Sequence, residues 1–200
     1  MPLDEDNLPA NPLDLFRHWL DEAGAGNDPL PNAMALATAT PSGRPSNRFV
    51  LLKGIDDRGI VFFSNYESRK GMELAENPRA AGAIFWPHPR RQARVEGEVE
   101  KIAPAESDAY FRTRDRLSRI GATVSPQSRP IRGRADLDKQ VADLNASLAD
   151  REVSRPHHWG GYRIIPDAIE FWVGGENRLH DRFRYRRKEA RPWEVERLAP

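Results

Sequence analysis

Polar and apolar residues alternate with period two over much of this chain, and with helical period over only a few stretches. The alternation is densest near the C-terminus, in Arg178-Leu179-His180-Asp181-Arg182-Phe183-Arg184-Tyr185-Arg186-Arg187. Period two marks a strand with one polar and one apolar face, so Phe183 and Tyr185 are expected opposite Arg182, Arg184 and Arg186. Taken alone, this segment fits a solvated surface strand as well as one that meets an anion. Further strands are predicted at 35–40, entered through Met34, and at 49–52 and 60–63, joined as a hairpin across Asp56-Asp57-Arg58-Gly59. Others follow at 80–86 and 93–102 around a Pro-His-Pro turn, then at 161–165, 168–172, 182–186 and 193–197.

Helical period is rarer. Asn11 and Pro12 read as an N-cap and first turn, with Leu13, Phe16, Leu20 and Ala23 as one stripe and Gly24 and Gly26 as the stop. Ser68 caps a short helix that ends at Asn77-Pro78. Pro104 opens another through Tyr110, and Leu137, Val141, Leu144 and Leu148 mark a last one. Six or more strands in hairpin-like order with few helices predict a β-rich α+β fold, an antiparallel barrel or sandwich with flanking helices.

Two hundred residues without repeats or a dividing linker predict one domain over 11–200 behind a flexible arm at 1–10. Charged residues make up 30% of the chain yet balance to +1, so local anion sites fit better than a nucleic-acid surface. The absence of cysteine removes disulfides, thiolate metal sites and cysteine nucleophiles. The five histidines show no ligand spacing, so no metal is expected. An acidic, polar start and no apolar run near the roughly 18 residues of a membrane span point to a cytoplasmic protein without a membrane partner.

Three clusters carry candidate chemistry. Arg69 and Lys70 follow Ser68 at a helix start, where cations oppose the helix dipole unless an oxyanion relieves them; two solvated charges are the other interpretation. Arg48 and Lys53 bracket a strand at odd spacing, which puts them on opposite faces unless a bulge intervenes. Tyr110, Arg114 and Ser118, spaced i, i+4, i+8, would line one helix side with two hydroxyls and a guanidinium, a set suited to a phosphate monoester. A solvated helix face fits the same spacing. Gln127-Ser128 lies in a proline-rich loop. No phosphate-loop, dinucleotide or nucleophile-elbow motif is present.

Taken in order, these segments resemble the pyridoxamine/pyridoxine 5′-phosphate oxidase family. The matching pieces are Arg48-Phe-Val-Leu-Leu-Lys53, Phe63-Ser64, Ser68-Arg69-Lys70, Arg91-Gln92, and Tyr110-Phe111 with Arg114. They continue through Ser118-Arg-Ile-Gly121, Ser125-Pro-Gln127-Ser128, Trp159-Gly-Gly-Tyr162, Glu170-Phe-Trp172, Arg178-Leu-His-Asp-Arg182 and Arg197-Leu-Ala-Pro200. The resemblance implies a homodimeric split β-barrel with FMN held between the two chains. It also implies oxidation of pyridoxamine or pyridoxine 5′-phosphate at C4′ to pyridoxal 5′-phosphate, with dioxygen as acceptor and hydrogen peroxide as product.

Carried over by similarity, the FMN contacts fall on Arg48, Lys53, Phe63, Ser64, Arg69, Lys70, Gln92, Gln127, Ser128, Trp172 and Arg182. The substrate contacts fall on Lys53, Tyr110, Arg114, Ser118, Arg178 and His180, with Arg178 and His180 nearest the chemistry. The chain departs from the family pattern at Asp115 (proline in the family), Leu117 (aspartate), Arg119 (glutamine) and Thr123 (tryptophan). Some members carry a longer basic N-terminal arm that lids the substrate; Met1 to Asn11 here is short and acidic, so an absent or different lid is expected. The altered 115–123 segment keeps in view an FMN- or pyridoxal-phosphate-binding protein without turnover. The shared barrel and Arg-Leu-His ending keep in view a phenazine-biosynthesis-type flavin oxidase, against which Lys53, Tyr110, Arg114 and Ser118 argue.

Overall fold

The computed structural model describes residues 3–26, 28–188 and 191–200. Eight antiparallel strands are β1 (Ala33–Ala39), β2 (Pro45–Asp56), β3 (Gly59–Asn65), β4 (Arg79–Trp86), β5 (Arg91–Lys101), β6 (Trp159–Val173), β7 (Asp181–Arg186) and β8 (Glu194–Arg197). They run in the order β3-β2-β1-β4-β5-β6-β7-β8, and β3 also pairs with β6. That extra pairing closes the first six into a barrel, which removes their open edges, and leaves β7 and β8 as an extension. Five α-helices accompany the strands: α1 (Pro12–Ala25), α2 (Arg69–Glu76), α3 (Pro104–Thr113), α4 (Arg116–Val124) and α5 (Arg134–Leu148).

The alternating pattern dictates what fills the barrel. Leu36, Leu52, Ile60, Phe62, Ile84, Val95, Ile164, Ile169 and Phe171 point inward and are buried. Helix α1 sets Phe16 and Trp19 edge-on against Trp86 and Phe171. Trp19 is the buried member of that turn, while the expected stripe residue Leu20 is only partly covered. A second, smaller core lies outside the barrel around Trp159, where Phe111, Ile120 and Val153 pack with partly buried Phe63, Tyr110 and residues of α5. It fastens α3, α4 and α5 to the outer face of β3 and β6. The paired glycines after Trp159 permit this closeness: a Cβ on Gly160 would sit 2.0 Å from the Tyr66 hydroxyl, and one on Gly161 2.3 Å from Ile102.

Several expectations need correcting. The two strands expected at 161–165 and 168–172 are one strand, β6, whose register against β5 shifts beside Pro166. Proline lacks the N–H the ladder needs and is accommodated at a bulge. Tyr110, Arg114 and Ser118 do not share a helix. Arg114 ends α3 in extended conformation, and Asp115 starts α4 by accepting the Ser118 backbone N–H at 2.8 Å. An aspartate cap beyond an extended residue begins a new helix rather than prolonging the old one.

Of the N-terminal arm, residues 1 and 2 lie outside the described residues. Residues 3–10 lie against the barrel: Leu3 is buried, Tyr185 donates its hydroxyl proton to the Pro9 carbonyl at 2.9 Å, and Arg197 pairs with Glu5. The C-terminal alternation is as read, with Phe183 and Tyr185 buried.

Arg163 anchors the β2–β3 turn from the middle of β6. It is 4% exposed and holds Asp56 at 2.5 Å, Glu100 at 3.1 Å and Glu106 at 3.3 Å. Burial pushes the Asp56 carboxyl up, but hydrogen bonds from Arg163 and the Arg58 N–H outweigh it and leave the group below its ordinary value. A depressed carboxylate contributes stability above its unfolded pKa and loses it as the pH falls through the folded one. Because the three acids stay partly exposed, removing the guanidinium leaves them solvated rather than stranded. Arg163→Leu should therefore cost about 1–3 kcal/mol at neutral pH, less than a fully buried pair. Denaturant melts at about pH 7 and at about pH 3 should show that cost shrinking at the acid end.

Candidate cofactor and substrate site

The N-terminus of α2 assembles one polar cluster. Ser68 is fully buried; its hydroxyl donates to the Asn65 carbonyl at 2.7 Å and accepts the Gly71 N–H. The close packing of this turn leaves no room for a side chain at 71, where a Cβ would lie 2.1 Å from the Tyr66 carbonyl. Lys70 is buried and reaches Gln127 Oε1 at 2.9 Å, Ser64 Oγ at 3.0 Å and Ser68 Oγ at 3.3 Å. Burial first, and the neighbouring Arg48 second, lower its pKa to about 8. Beside it, a cavity of about 560 Å³ is lined by Arg44, Ser46, Arg48, Arg69, Lys70 and Ser128. Ser128 holds φ 72 at its rim. Four cations face one opening beside a helix start, and three of them, Arg48, Arg69 and Lys70, are hydrogen-bonded to fixed partners. That donor set suits a phosphate monoester.

A second cluster adjoins it through Phe63, whose ring stacks on Tyr110 at 3.9 Å and on Trp159 at 5.4 Å. Arg114 lies over Trp159 at 4.8 Å, and its Nη1 is buried without a hydrogen-bond partner. Desolvation lowers its pKa, offset in part by Tyr110 and Asp115. A buried, unsatisfied guanidinium nitrogen is costly and calls for an acceptor, so an anion fits here too. Ser118 lies in the first turn of the next helix, where Asp115 accepts its backbone N–H. The departure at 115 is thus a helix start between Arg114 and Ser118.

The third cluster lies elsewhere. Gln92, Trp172 and Arg182 are cross-strand neighbours on the outer face of β5, β6 and β7. His180 packs against Trp172 at 4.6 Å, and its Nδ1 accepts the Gly175 N–H at 3.1 Å, which leaves Nε2 to carry the proton of a neutral ring. Arg178 is exposed with φ 62. Arg182 donates to Glu170 Oε1 at 2.8 and 2.9 Å and to the Ala199 carbonyl at 2.9 Å. Lys53 stands apart, exposed at a bulge of β2.

These groups do not meet within one chain. Ser64 pairs with Gly160 at one end of β6, whereas Gln92 and Arg182 pair with Trp172 near the other. At about 3.3 Å per residue, twelve residues of strand span up to roughly 40 Å of contour. Among the described residues, no hydrogen bond or ring contact joins the Gln92, Trp172 and Arg182 group to the other two clusters.

Residue patterns alone missed two carboxylates. Glu73 is 5% exposed and bonded to Arg69, and Glu170 is 7% exposed between Arg94 and Arg182. The i, i+4 spacing of Arg69 and Glu73 was a usable signal; the cross-strand partners of Glu170 left none. Scattered in sequence, Glu67, His157 and His158 also come within 4.8 Å of one another, but Arg129 already sits 3.6 Å from Glu67.

Comparison with known proteins gives two family matches. The model described as pyridoxamine 5′-phosphate oxidase covers residues 29–147, and that of the pyridoxine 5′-phosphate oxidase C-terminal dimerisation region covers 159–200. The chain is 52% identical to a pyridoxine/pyridoxamine 5′-phosphate oxidase from Pseudomonas paraeruginosa, over 99% of this chain and 93% of that protein. It is 50% identical to one from Nostoc punctiforme, over 99% and 92%. Among solved structures, PhzG from Burkholderia lata, in complex with tetrahydrophenazine-1-carboxylic acid, superposes with TM-score 0.93 at 34% identity, over 100% of this chain and 98% of that one. A pyridoxamine 5′-phosphate oxidase-related, FMN-binding protein from Nostoc punctiforme shares the fold, with TM-score 0.75 at 20% identity over the whole of both chains.

Lys70 makes the phosphate cluster pH-dependent. Losing its proton removes one of the four cations lining the cavity, while a phosphomonoester remains dianionic above its second pKa of about 6. Affinity for a phosphomonoester should fall as the pH passes about 8. In the ligand-free protein the sign reverses: with the folded pKa depressed below 10.5, stability rises with pH across that interval. Calorimetric titration with FMN from about pH 7 to about pH 9.5 checks the first claim, and a flat profile would rule it out.

Proposed function

The chain belongs to the pyridoxamine 5′-phosphate oxidase family, and from that membership we propose how its clusters divide the work of an FMN-dependent oxidase. It converts pyridoxamine and pyridoxine 5′-phosphates to pyridoxal 5′-phosphate, with dioxygen as acceptor and hydrogen peroxide as product. Bound FMN supplies the hydride acceptor that dioxygen regenerates. The active species is a homodimer.

Arg48, Arg69 and Lys70, with Ser64, Gln127 and Ser128, hold the flavin phosphate. Their support is the cavity they share and the buried lysine within it. Gln92, Trp172 and Arg182 of the partner chain meet the same cofactor; Trp172 and Arg182 lie within the dimerisation region, and Gln92 is the cross-strand neighbour of Trp172, which supports this. Arg182, clamped by Glu170, presents a fixed cation to the ring. Lys53, exposed beside the bulge of β2, is assigned to cofactor and substrate by similarity to the family alone, and Phe63 packs between the two sites.

Tyr110, Arg114 and Ser118 take the substrate phosphate. The observation that carries this assignment is the buried Arg114 Nη1 without a partner. Arg178 and His180 hold the substrate ring and its polar substituents, so that C4′ stays in position for oxidation. His180 Nε2–H is oriented for that task by the Gly175 N–H on the opposite ring nitrogen. In this proposal residues 11–200 form one domain behind the arm at 1–10. No helix among the described residues is long and apolar enough to cross a membrane, and we assign the enzyme to the cytoplasm.

The likeness to PhzG favours one other assignment, a flavin oxidase acting on a phenazine precursor. Arg114 pairs with a carboxylate as well as with a phosphate; what favours the first assignment is that the curated oxidases are nearer in sequence, at 52% against 34% identity.

Two measurements test the assignment. Purified protein should be yellow and should release hydrogen peroxide and pyridoxal phosphate from pyridoxine phosphate in air; a colourless protein that takes up no FMN would sink it. Arg178→Ala should lower kcat by roughly tenfold or more while flavin stays bound. Loss of flavin from that variant would instead move Arg178 to the cofactor side.

A further inference from the structure

Glu73 is the one acid among the cations of the α2 cavity, and it is more deeply buried than they are. Its Oε2 accepts the hydroxyl protons of Thr38 and Ser46, each at 2.5 Å, and an Arg48 Nη2 proton at 3.4 Å. Its Oε1 accepts Arg69 Nε–H at 2.9 Å. The same two hydroxyls accept from Arg48: Nη1 donates to Thr38 Oγ1 at 2.5 Å and Nη2 donates to Ser46 Oγ. Arg48 also donates to the Leu36 carbonyl at 3.2 Å. The guanidinium of Arg48 is therefore committed to the Glu73 network, directly and through both hydroxyls. The network spans β1, β2 and α2. Burial pushes the Glu73 carboxyl up, but hydrogen bonds from Ser46, Thr38 and Arg69 hold it down at about 2, so it is an anion at any working pH.

Charge decides what such a group does in a phosphate site. Arg48, Arg69 and Lys70, less Glu73, leave +2, which balances a phosphomonoester dianion. Arg44 also lines the cavity and is exposed, as Arg69 is; it stays outside this count because, unlike Arg69, it is not bonded to Glu73. Without Glu73 the ligand-free site would hold three clustered cations, one of them buried, with no counter-charge. We propose that Glu73 is the resident counter-ion of the phosphate site: it stabilises the empty cavity and, by competing for Arg48 and Arg69, limits how tightly a phosphomonoester binds. It acts through those arginines and does not touch the reacting atoms. The proposal rests on this cavity being the flavin phosphate site.

The test compares FMN with riboflavin, which shares the ring and lacks the phosphate, by flavin fluorescence quenching on apoprotein. Glu73→Gln keeps shape and removes charge. It should raise the FMN-to-riboflavin affinity ratio by roughly tenfold, the order expected for one unit charge several ångströms away at a partly screened site. It should also lower the melting temperature of the apoprotein. Glu73→Asp keeps the charge and should leave the ratio within about twofold of wild type. If Gln and Asp shift the ratio alike, or if Gln lowers it or leaves it unchanged, Glu73 is a geometric brace and the proposal is overturned.

Should Glu73→Gln alone fail to fold, the double variant with Arg69→Gln restores +2. It should fold and keep an FMN preference within about threefold of wild type; loss of that preference counts against the proposal. Equal affinity of the wild-type protein for FMN and riboflavin is a different failure, that of the phosphate-site assignment itself.

Discussion

The pairing of β3 with β6 is the constraint on which the rest of this structure depends. It closes six strands into a barrel, so the inward set of every strand is buried at once. The same seam brings Phe63 and Ser64 against the Gly160–Gly161 pair. On its outer side Trp159 gathers α3, α4 and α5, and with them Arg114. At its end the chain turns into α2, whose first residues carry the cation cluster. Without that seam the barrel would have two open edges and neither phosphate-suited cluster would have a floor.

Much of this was legible in the chain because period-two alternation is a direct consequence of having an inside and an outside. Phe183 and Tyr185 against Arg182 and Arg184 is the plainest case. The caps of α1 and α2 were legible for a similar reason: Asn11 and Ser68 are local chemistry, and both cap as read. What failed was continuity. Pro166 looked like an end of strand but is absorbed in a bulge, because β5 shifts its register to accommodate it. Arg114 looked like the middle of a helix, but Asp115 caps the next one. In each case a single residue admits two local outcomes, and a neighbour distant in sequence, or a competing cap, selects one. The candidate site was legible in its residues and illegible in its distances.

The acids show where single-residue reasoning is weakest. An arginine-rich stretch advertises itself, but the carboxylates that govern it come from other elements. Glu170 in β6 holds Arg94 and Arg182, Glu196 in β8 holds Arg184, and Glu73 reaches back to β1 and β2. Arg187 lies over Trp193 instead. Near-zero net charge is thus not an average over unrelated surface groups. It reflects in part the pairing of Arg48, Arg69, Arg94, Arg182 and Arg184 with acids supplied by other turns or strands of the fold.

The length of β6 has one more implication. With Gly160 and Trp172 near opposite ends of one strand, the proposed assignment gives each chain one half of each of two sites, so a symmetric pair of chains would complete two sites or none. On that proposal catalytic competence would be a property of association, acquired at the moment two folded chains dock. A newly made chain would keep its share of the oxidative chemistry silent until it found a second copy.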